Sequence, residues 1–455
     1  MSAIALFKNN LRFNDNPILF HAAQNHQILP IYILDDINTN KPMGARSRYW
    51  LFHSLNSLNK KLNKSLQFYK GESLLIIKSL IKKYSISTIY LEESFLKNDL
   101  ILFNKIKEFS DKENIQLISY NSILLWKPYK ILKNDNTPYK VFTPFYKRGC
   151  LEAPNPEAPL GEPKSINYLK TNENTNIDDL HLLDKYKWYK KFDNLWDISE
   201  DYALKIFNNF VDSKINDYKK ERDFPALNKN SKLSPYIRFG LISVNRIWHE
   251  LNKLTTNPGI DHFKSEIGWR EFSYYLIYHF PHMEQNNLQQ KFDNFNWDNS
   301  NSQFDAWKKG QTGYPIVDAG MRELWQTGFI HNRTRMVVAS FLVKNLLIDW
   351  RLGEKWFWDC LVDADYASNI AGWQWVSGTG ADAAPYFRIF NPILQGNKFD
   401  PDGKYIKTYV PELESVPNKL LNEPWDYEGI LNYPEPIIDY KFSRKRALEK
   451  YAEIK

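Results

Sequence analysis

The chain has 455 residues, 43% of them hydrophobic, and a formal net charge of +7. This length predicts two domains with buried cores, and the composition is ordinary for a globular protein. The positive charge favours a polyanionic partner, although biased nucleotide composition would also enrich Lys and Asn. The two cysteines, Cys150 and Cys360, are too few for a disulfide framework or for a four-cysteine zinc or iron–sulfur site.

The N-terminus resembles neither a signal peptide nor a membrane anchor. Met1 leads into a short apolar strand and then Lys8-Asn9-Asn10, without a basic segment followed by a long apolar run. No later apolar run is long enough to cross a membrane. We therefore expect a soluble, unexported protein of a bacterial-type cytoplasm. We also expect a monomer without a bound metal.

The first 125 residues alternate between short apolar runs and helical stretches. The clearest helix spans 45–62, and the predicted strands are 3–6, 29–34, 66–69, 86–91 and 115–120. Such alternation predicts an α/β domain over 1–125 with a doubly wound parallel sheet. No GxGxxG motif follows the first strand, which argues against a nicotinamide dinucleotide site.

The rest of the chain changes character twice. Residues 126–200 lose the alternation and carry several prolines, which disfavour regular elements, so we predict an interdomain connector. From residue 201 to 455 the pattern predicts an all-helical domain with an aromatic-rich core. Its predicted helices are 202–219, 243–253, 260–280, 315–327, 332–348 and 353–362.

The stretch from 331 to 390 concentrates residues that a folding core alone would not require. No Pro or Gly lies between Asn332 and Leu347, so Asn332, Arg335 and Met336 are expected on one helix flank. A carboxylate-rich run, Asp363–Asn369, follows just before a glycine-bounded loop. Small residues interspersed with carboxylates suggest a packed polar ligand.

Six motifs carry a resemblance to a known family. They are GWREF, TGYPIVDAGMREL, HNRTRM, DADYASN, GWQW and TGADAAPYFRIFNP. Together they resemble the photolyase/cryptochrome family over nearly the whole chain, and they are most similar to class I photolyases. That class repairs cyclobutane pyrimidine dimers in DNA with blue light and reduced FAD. The resemblance implies an antenna pigment on the α/β domain and FAD in the helical domain.

The resemblance also implies which residues bind FAD. Hydroxyls and backbone N–H groups at 230–234 precede a helix N-terminus. Ordinary capping is the alternative, and the resemblance favours contacts to the FAD phosphates and ribityl chain. Asn369 would face flavin N5 as an uncharged amide. Arg335 would pair with Asp363, as such pairs also do for purely structural reasons. The full expected set is Tyr218, Asn230, Ser231, Lys232, Leu233, Ser234, Arg270, Arg335, Asp363, Ala364, Asp365 and Asn369.

The lesion pocket is implied by a second group of residues. Trp269 and Trp375 would flank the flipped dimer, and Glu266 would donate a hydrogen bond to it. Asn332 and Met336 stand where enzymes for the (6-4) photoproduct carry histidines, which favours dimer repair. The expected catalytic residues are therefore Glu266, Trp269, Asn332, Met336 and Trp375.

Two further sets follow from the resemblance. Trp297, Trp350 and Trp373 coincide with the family's electron-transfer triad, for which three core tryptophans are the alternative. Arginines suit contacts to DNA phosphates because of their fork of donors. The expected DNA-binding residues are Arg222, Glu266, Trp269, Arg270, Asn332, Arg333, Thr334 and Arg388.

The antenna is where the chain departs from its family. Folate-binding relatives commonly have a His before the long helix of the first domain and a Lys shortly after the substrate helix, and this chain has neither. A deazaflavin, another flavin or no second chromophore therefore stay open. The competing functions are a cryptochrome-like photoreceptor, a (6-4) photolyase and, more distantly, a generic flavin electron-transfer protein. Against signalling stand Asn369, the Trp269/Trp375 pair and a short C-terminal tail.

Overall fold

A computed structural model describes residues 1–173, 175–183, 187–429 and 432–454. Packing divides the chain into two compact units. Unit 1 comprises Met1–Tyr139, Thr143–Ser213 and Ser231–Pro281. Unit 2 comprises Lys140–Phe142, Lys214–Asn230 and the chain from His282 onward. The domain boundaries at 125 and 200 stay a prediction, because units defined by packing are not the same as segments that fold independently.

A five-stranded parallel sheet forms the centre of the N-terminal part of unit 1. Its strands are β1 (Ser2–Phe7), β2 (Gln27–Leu34), β3 (Gln67–Lys70), β4 (Ile86–Glu92) and β5 (Gln116–Tyr120). They are ordered β3-β2-β1-β4-β5, and Ile4 in β1 is in register with both Leu29 and Ile89. These three side chains are buried in one apolar core. The predicted doubly wound sheet is thus confirmed.

Helices make up most of the remaining chain. In chain order they are α1 (Pro17–Asn25), α2 (Ala45–Lys61), α3 (Ser73–Tyr84), α4 (Lys97–Lys112), α5 (Phe142–Pro144), α6 (Glu200–Ser213), α7 (Tyr218–Glu221), α8 (Ser234–Arg238), α9 (Val244–Asn252), α10 (Pro258–His279), α11 (Asn301–Lys309), α12 (Pro315–Thr327), α13 (Asn332–Ser340), α14 (Trp350–Cys360), α15 (Tyr366–Ser377), α16 (Pro392–Phe399), α17 (Lys404–Tyr409) and α18 (Tyr440–Ala452). The predicted helical C-terminal part is confirmed. Within the described ranges, no helix has both the length and the apolar character needed to cross a bilayer.

Two predicted helices are interrupted. The helix expected over 202–219 ends at Ser213 and is followed by a 3-10 turn before α7, at the point where the chain passes from unit 1 to unit 2. The helix expected over 332–348 ends at Ser340 and continues as a π-helix over Phe341–Asn345. There the buried indole of Trp307 donates to the carbonyl of Val338 at 3.0 Å. Residues beyond Ser340 are therefore rotated away from the flank that a continuous α-helix would give them.

Part of the predicted connector is ordered against α10 within unit 1. The backbone N–H of Tyr139 donates to the Tyr275 hydroxyl at 2.8 Å, and the rings of Phe145 and Tyr275 lie 4.7 Å apart. A side chain at Gly268 would collide with the ring of Tyr146. Tyr139, Phe145 and Tyr146 therefore pack on α10, and Gly268 is what allows the close approach.

Candidate functional site

Helix α10 in unit 1 presents Glu266 and Trp269 one turn apart. The Asn257 side chain caps the helix by accepting from two backbone N–H groups of the first turn. The Glu266 carboxylate is 3.7 Å from His262 Nε2, and the Glu266 side chain is 31% exposed. Trp269 is half-buried and meets the ring of Phe272 edge-on. Because residues three apart share a helix face, a carboxyl and an indole can meet the same ligand.

Arg270 is tied into a buried network. Its Nη1 donates to the carbonyl of Ile123 at 2.8 Å and to Glu271 at 3.2 Å. The other Glu271 oxygen accepts from the backbone N–H of Leu125 at 2.8 Å and of Trp126 at 3.3 Å. Burial raises the pKa of Glu271 to about 7. Sequence reasoning missed Glu271, because its backbone partners lie nearly 150 positions earlier in the chain.

Residues 231–234 form the entry to α8 in unit 1. Ser231 Oγ accepts from the backbone N–H of Leu233 at 3.3 Å. Lys232 has a left-handed φ of 55°, and Lys232 and Ser234 are exposed. This loop therefore presents a hydroxyl and an ammonium group just before a helix N-terminus.

In unit 2, Tyr218 and Arg222 pack on each other while Asn230 lies further along the chain. Tyr218 is buried, and the guanidinium carbon of Arg222 lies 5.3 Å from the centre of its ring. Arg222 is itself only 9% exposed. Asn230 is half-buried. The side chain of Arg222 thus has little surface to offer a phosphate in this conformation.

His331 begins helix α13 and fixes its first turn. Its Nδ1 accepts from the backbone N–H of Arg333 at 3.2 Å, and its own backbone N–H donates to Glu323 Oε2 at 3.1 Å. The same Glu323 oxygen accepts from the Tyr405 hydroxyl at 2.6 Å. Burial lowers the pKa of His331 to about 4. A neutral imidazole therefore caps the helix on which the predicted lesion and DNA residues lie.

The predicted site residues on helix α13 differ in solvent exposure. Asn332 is exposed and Met336 is half-buried, so both have surface available to a ligand. Thr334 is buried, with 1% exposure. Arg333 is 20% exposed and pairs with Asp223, whose Oδ2 lies 2.6 Å from its Nη2. The Arg333–Asp223 pair was not predicted, because the two residues are 110 positions apart.

Arg335 and the carboxylate-rich run meet in unit 2. Arg335 Nη2 lies 3.4 Å from both oxygens of Asp363. Ala364 and Asp365 are buried, and the Asp365 side chain caps α15 by accepting from the Ser368 backbone N–H at 2.8 Å. The predicted Arg–Asp pair is present in the structure. Arg335 Nε is buried and has no hydrogen-bond partner in the described part of the chain, as expected if a polar ligand group completes this site.

Asn369 is oriented by a residue that the sequence did not suggest. Its Nδ2 donates to Oε1 of Glu354 at 2.8 Å and to the Glu354 carbonyl at 3.1 Å. Both side chains are buried, with 6% and 7% exposure. Because the amide nitrogen is engaged twice, the amide oxygen is the group left to accept from a ligand.

The three predicted relay tryptophans all lie in unit 2. Trp373 and Trp350 are buried, and Trp297 is half-buried. The Trp350 indole donates to Asn287 Oδ1 at 2.9 Å, and the Trp297 ring lies 4.4 Å from that of Phe295. The order from buried to partly exposed is what a path from the interior to the surface requires.

Trp375 and Arg388 follow the last of the relay tryptophans, Trp373, in the sequence. Trp375 is half-buried and Arg388 is exposed. The carbonyl of Arg388 accepts from Nζ of Lys344 at 3.1 Å, and burial lowers the pKa of Lys344 to about 7. The backbone of Arg388 is thereby anchored while its guanidinium reaches solvent. Across the residues that the structure describes, no three or more His, Cys, Asp or Glu side chains cluster as metal ligands.

Comparison with known proteins identifies the relatives of this chain. The family model for DNA photolyase matches residues 3–164, and that for the FAD binding domain of DNA photolyase matches 263–453. A deoxyribodipyrimidine photo-lyase of Agrobacterium fabrum is 40% identical over 99% of this chain and 98% of its own length. Cryptochrome-2 of Arabidopsis thaliana is 33% identical over 97% of this chain and 77% of its own length.

A solved structure extends this likeness to the fold. The bacterial class III photolyase from Agrobacterium tumefaciens superposes with a TM-score of 0.94 at 40% identity, covering 100% of this chain and 97% of that one. The narrower prediction of class I is therefore not confirmed. The matches do confirm the predicted family and a FAD-binding domain. This chain belongs to the photolyase/cryptochrome family.

Proposed function

We propose that this protein is a deoxyribodipyrimidine photo-lyase that splits cyclobutane pyrimidine dimers in DNA with blue light. The observation that carries the proposal is the orientation of Asn369, whose amide nitrogen is held by Glu354 so that its oxygen can accept from a ligand. Reduced FAD, when bound, supplies the electron that opens the cyclobutane ring. An uncharged acceptor tolerates a reduced, anionic flavin, whereas a carboxylate at this position would repel it.

Two of the residues proposed to hold FAD form an ion pair within unit 2. Arg335 and Asp363 form one polar wall. The buried Nε of Arg335 has no hydrogen-bond partner among the described residues, which supports a ligand group there. Asp365 caps α15 through one carboxylate oxygen and belongs to the same proposed set. Tyr218, Asn230, the loop 231–234, Arg270 and Ala364 complete the proposed set.

The lesion would be bound by Glu266, Trp269, Asn332, Met336 and Trp375. Stacking of a base on an aromatic ring contributes roughly 1–3 kcal/mol, which is comparable with the few kcal/mol needed to extrude a damaged base. The half-buried state of both tryptophans leaves indole surface for such stacking. Asn332 and Met336 offer no proton donor of the histidine type, which supports dimer repair over (6-4) repair.

Contacts to DNA phosphates are proposed for Arg222, Arg333 and Arg388, with Asn332 beside them. Arg388 is exposed and ready for such a contact, whereas Arg222 and Arg333 are largely covered. Thr334 is buried, so its contribution would come through the position of α13 rather than through its own exposed surface. Glu266, Trp269 and Arg270 would meet the flipped nucleotides.

Photoreduction of the flavin is proposed to use Trp373, Trp350 and Trp297 in that order. The partial exposure of Trp297, the last of the three, supports this direction, because an electron must finally be drawn from a residue near solvent. Indoles can lose and regain an electron without leaving their packed sites.

A repair assay tests the proposed function. Protein with chemically reduced FAD is illuminated with an oligonucleotide that carries one thymine dimer, and product is measured by chromatography. We expect light-dependent recovery of intact thymines, a strong loss in Trp375→Phe, and normal repair in Trp325→Phe, which alters an exposed tryptophan on α12. Flavin photoreduction without dimer repair would favour the cryptochrome-like photoreceptor. In a parallel assay with a (6-4) oligonucleotide, repair of that product alone would favour a (6-4) photolyase.

Several finer features remain proposals beside this function. The domain boundaries 1–125, 126–200 and 201–455, the monomeric state and association with the nucleoid through DNA belong to this group. So does the second chromophore, for which a deazaflavin, a flavin or none are retained and folate is disfavoured. Extraction of pigments from the purified protein would identify it.

A further inference from the structure

A carboxylate partly masks one of the arginines proposed to contact DNA. Nη2 of Arg333 is engaged by Asp223 at 2.6 Å. The guanidinium carbon lies 4.2 Å from the centre of the Phe399 ring, so one face of the group is also covered. Arg333 Nε is buried as well. A phosphate can therefore approach only the Nη edge, and there it must share or displace Asp223.

The surroundings hold Asp223 at this position without burying it. Backbone hydrogen bonds fix the residues on either side, from the Arg222 N–H to the Tyr218 carbonyl and from the Phe224 N–H to the Glu221 carbonyl. The ring of Phe224 packs edge-on to Phe399 at 6.1 Å, beneath Arg333. The side chain of Asp223 is nonetheless 37% exposed. Its carboxylate can thus turn toward water when another anion takes its place.

We propose that Asp223 is a specificity-determining residue, which competes with DNA phosphates for Arg333 so that this arginine engages the backbone only in the complex with damaged DNA. This inference rests on the proposed function. An undamaged duplex can bind through other cations while Arg333 stays paired with Asp223. Arg333 then contributes nothing to the affinity for that duplex. In the damaged complex, extrusion of the lesion draws the flanking phosphates toward α13, and the contact replaces the ion pair.

Salt-dependent binding to damaged and undamaged duplexes tests the proposal. In Asp223→Asn, Arg333 is released for any phosphate, so the slope of log K against log salt for undamaged DNA should become more negative by about 0.9. When the salt concentration falls from 200 to 50 mM, the affinity of the variant for undamaged DNA should therefore increase about threefold more than that of the wild type. Affinity for damaged DNA should rise less, so discrimination between the two duplexes falls.

Two controls separate this effect from a general change of charge. Asp305→Asn removes an ion pair of similar length, with Lys308 at 2.7 Å, from helix α11 and makes the same change in net charge. It should leave discrimination unchanged. In an Arg333→Ala background, Asp223→Asn should likewise have no effect beyond that of Asp305→Asn.

The outcomes distinguish this inference from the proposed function. Equal gains for both duplexes in Asp223→Asn, or a gain that persists without Arg333, would overturn the role of Asp223. An equal loss of discrimination in Asp305→Asn would do the same. A wild-type protein with no preference for damaged DNA would overturn the proposed function and this inference with it.

Discussion

Two polar pairs in unit 2 hold side chains that are proposed to act, and they differ in burial. Glu354 and Asn369 are 7% and 6% exposed and are joined at 2.8 Å. The side chains of Arg333 and Asp223 are 20% and 37% exposed and are joined at 2.6 Å. The shorter contact holds its side chains less firmly. Water competes with Asp223 for the exposed Arg333, whereas no water competes for the buried Asn369 amide. A buried pair fixes an orientation, whereas a half-exposed pair can exchange partners.

The largest expected effect comes from placing a charge inside the buried pair. Asn369→Asp sets a second carboxyl beside that of Glu354, and two charges about 4 Å apart repel by roughly 4 kcal/mol at an effective dielectric constant of about 20. One of the carboxyls should therefore have a raised pKa. The free energy of unfolding should be nearly retained at low pH and lost as the pH rises through that raised value.

Denaturant unfolding at pH 5 and pH 8 measures this effect. The matched control is Asn369→Ser, which removes the amide without adding a carboxyl and should lose the same stability at both pH values. A loss in Asn369→Asp that does not depend on pH would contradict the coupling between the two buried carboxyls.

His331 is buried but lies next to the half-exposed Arg333–Asp223 pair. The pH dependence of stability shows whether its pKa is lowered as burial requires. Burial lowers the pKa of His331 from 6.5 to about 4. Between these pH values the imidazole is therefore protonated in the unfolded chain but neutral in the folded protein. Stability should be fully present above pH 6.5 and fall by on the order of 3 kcal/mol as the pH drops to 4. Unfolding titrations measure the slope. His331→Asn replaces the capping ring nitrogen with an amide oxygen that does not titrate, so it should flatten that part of the curve; an unchanged slope would place the titration elsewhere.

A smaller effect is expected from removing the acceptor of the buried pair. Glu354→Leu leaves the Asn369 amide with only the backbone carbonyl of residue 354, and a buried donor without its partner costs about 1–3 kcal/mol. Glu354→Gln keeps an acceptor oxygen and should be milder. Thermal unfolding compares the two variants, and equal losses would show that the carboxylate charge, not the acceptor, matters at this position.

The smallest effect is expected from the half-exposed pair itself. Asp223→Asn should change the free energy of unfolding by about 1 kcal/mol or less, since ion pairs open to solvent contribute little. The same unfolding measurement used for Glu354→Leu provides the comparison. A loss in Asp223→Asn as large as that in Glu354→Leu would erase the distinction between the two pairs.

The periodic features of the molecule were predictable from sequence, because each depends on residues close together in the chain. The expected strand 86–91 is observed as Ile86–Glu92, and the expected helix 315–327 is observed as Pro315–Thr327. The π-helix after Ser340 was not predictable, since it accompanies a contact between Val338 and the distant Trp307.

The candidate site divides in the same way. Asn369 and the Arg335–Asp363 pair were reached through family motifs, but the residue that orients Asn369 was not. Glu354 lies 15 positions before Asn369, on a different helix, and nothing in its local sequence distinguishes it from a surface glutamate. Asp223 offered only its adjacency to Arg222 as a signal. Side chains that orient a functional group are chosen by the tertiary fold, so a single sequence does not reveal them.

Gly353 sets a spacing that no side chain could set. A methyl group there would overlap the ring of Trp373, and it would also crowd Leu342. Carbon atoms in contact prefer separations of about 3.5–4.0 Å, so even alanine would force the indole or the helix to move. Trp350 lies on the same helix, one turn earlier. Position 353 thus limits how closely the backbone of α14, the helix that carries Trp350, can approach the indole ring of Trp373.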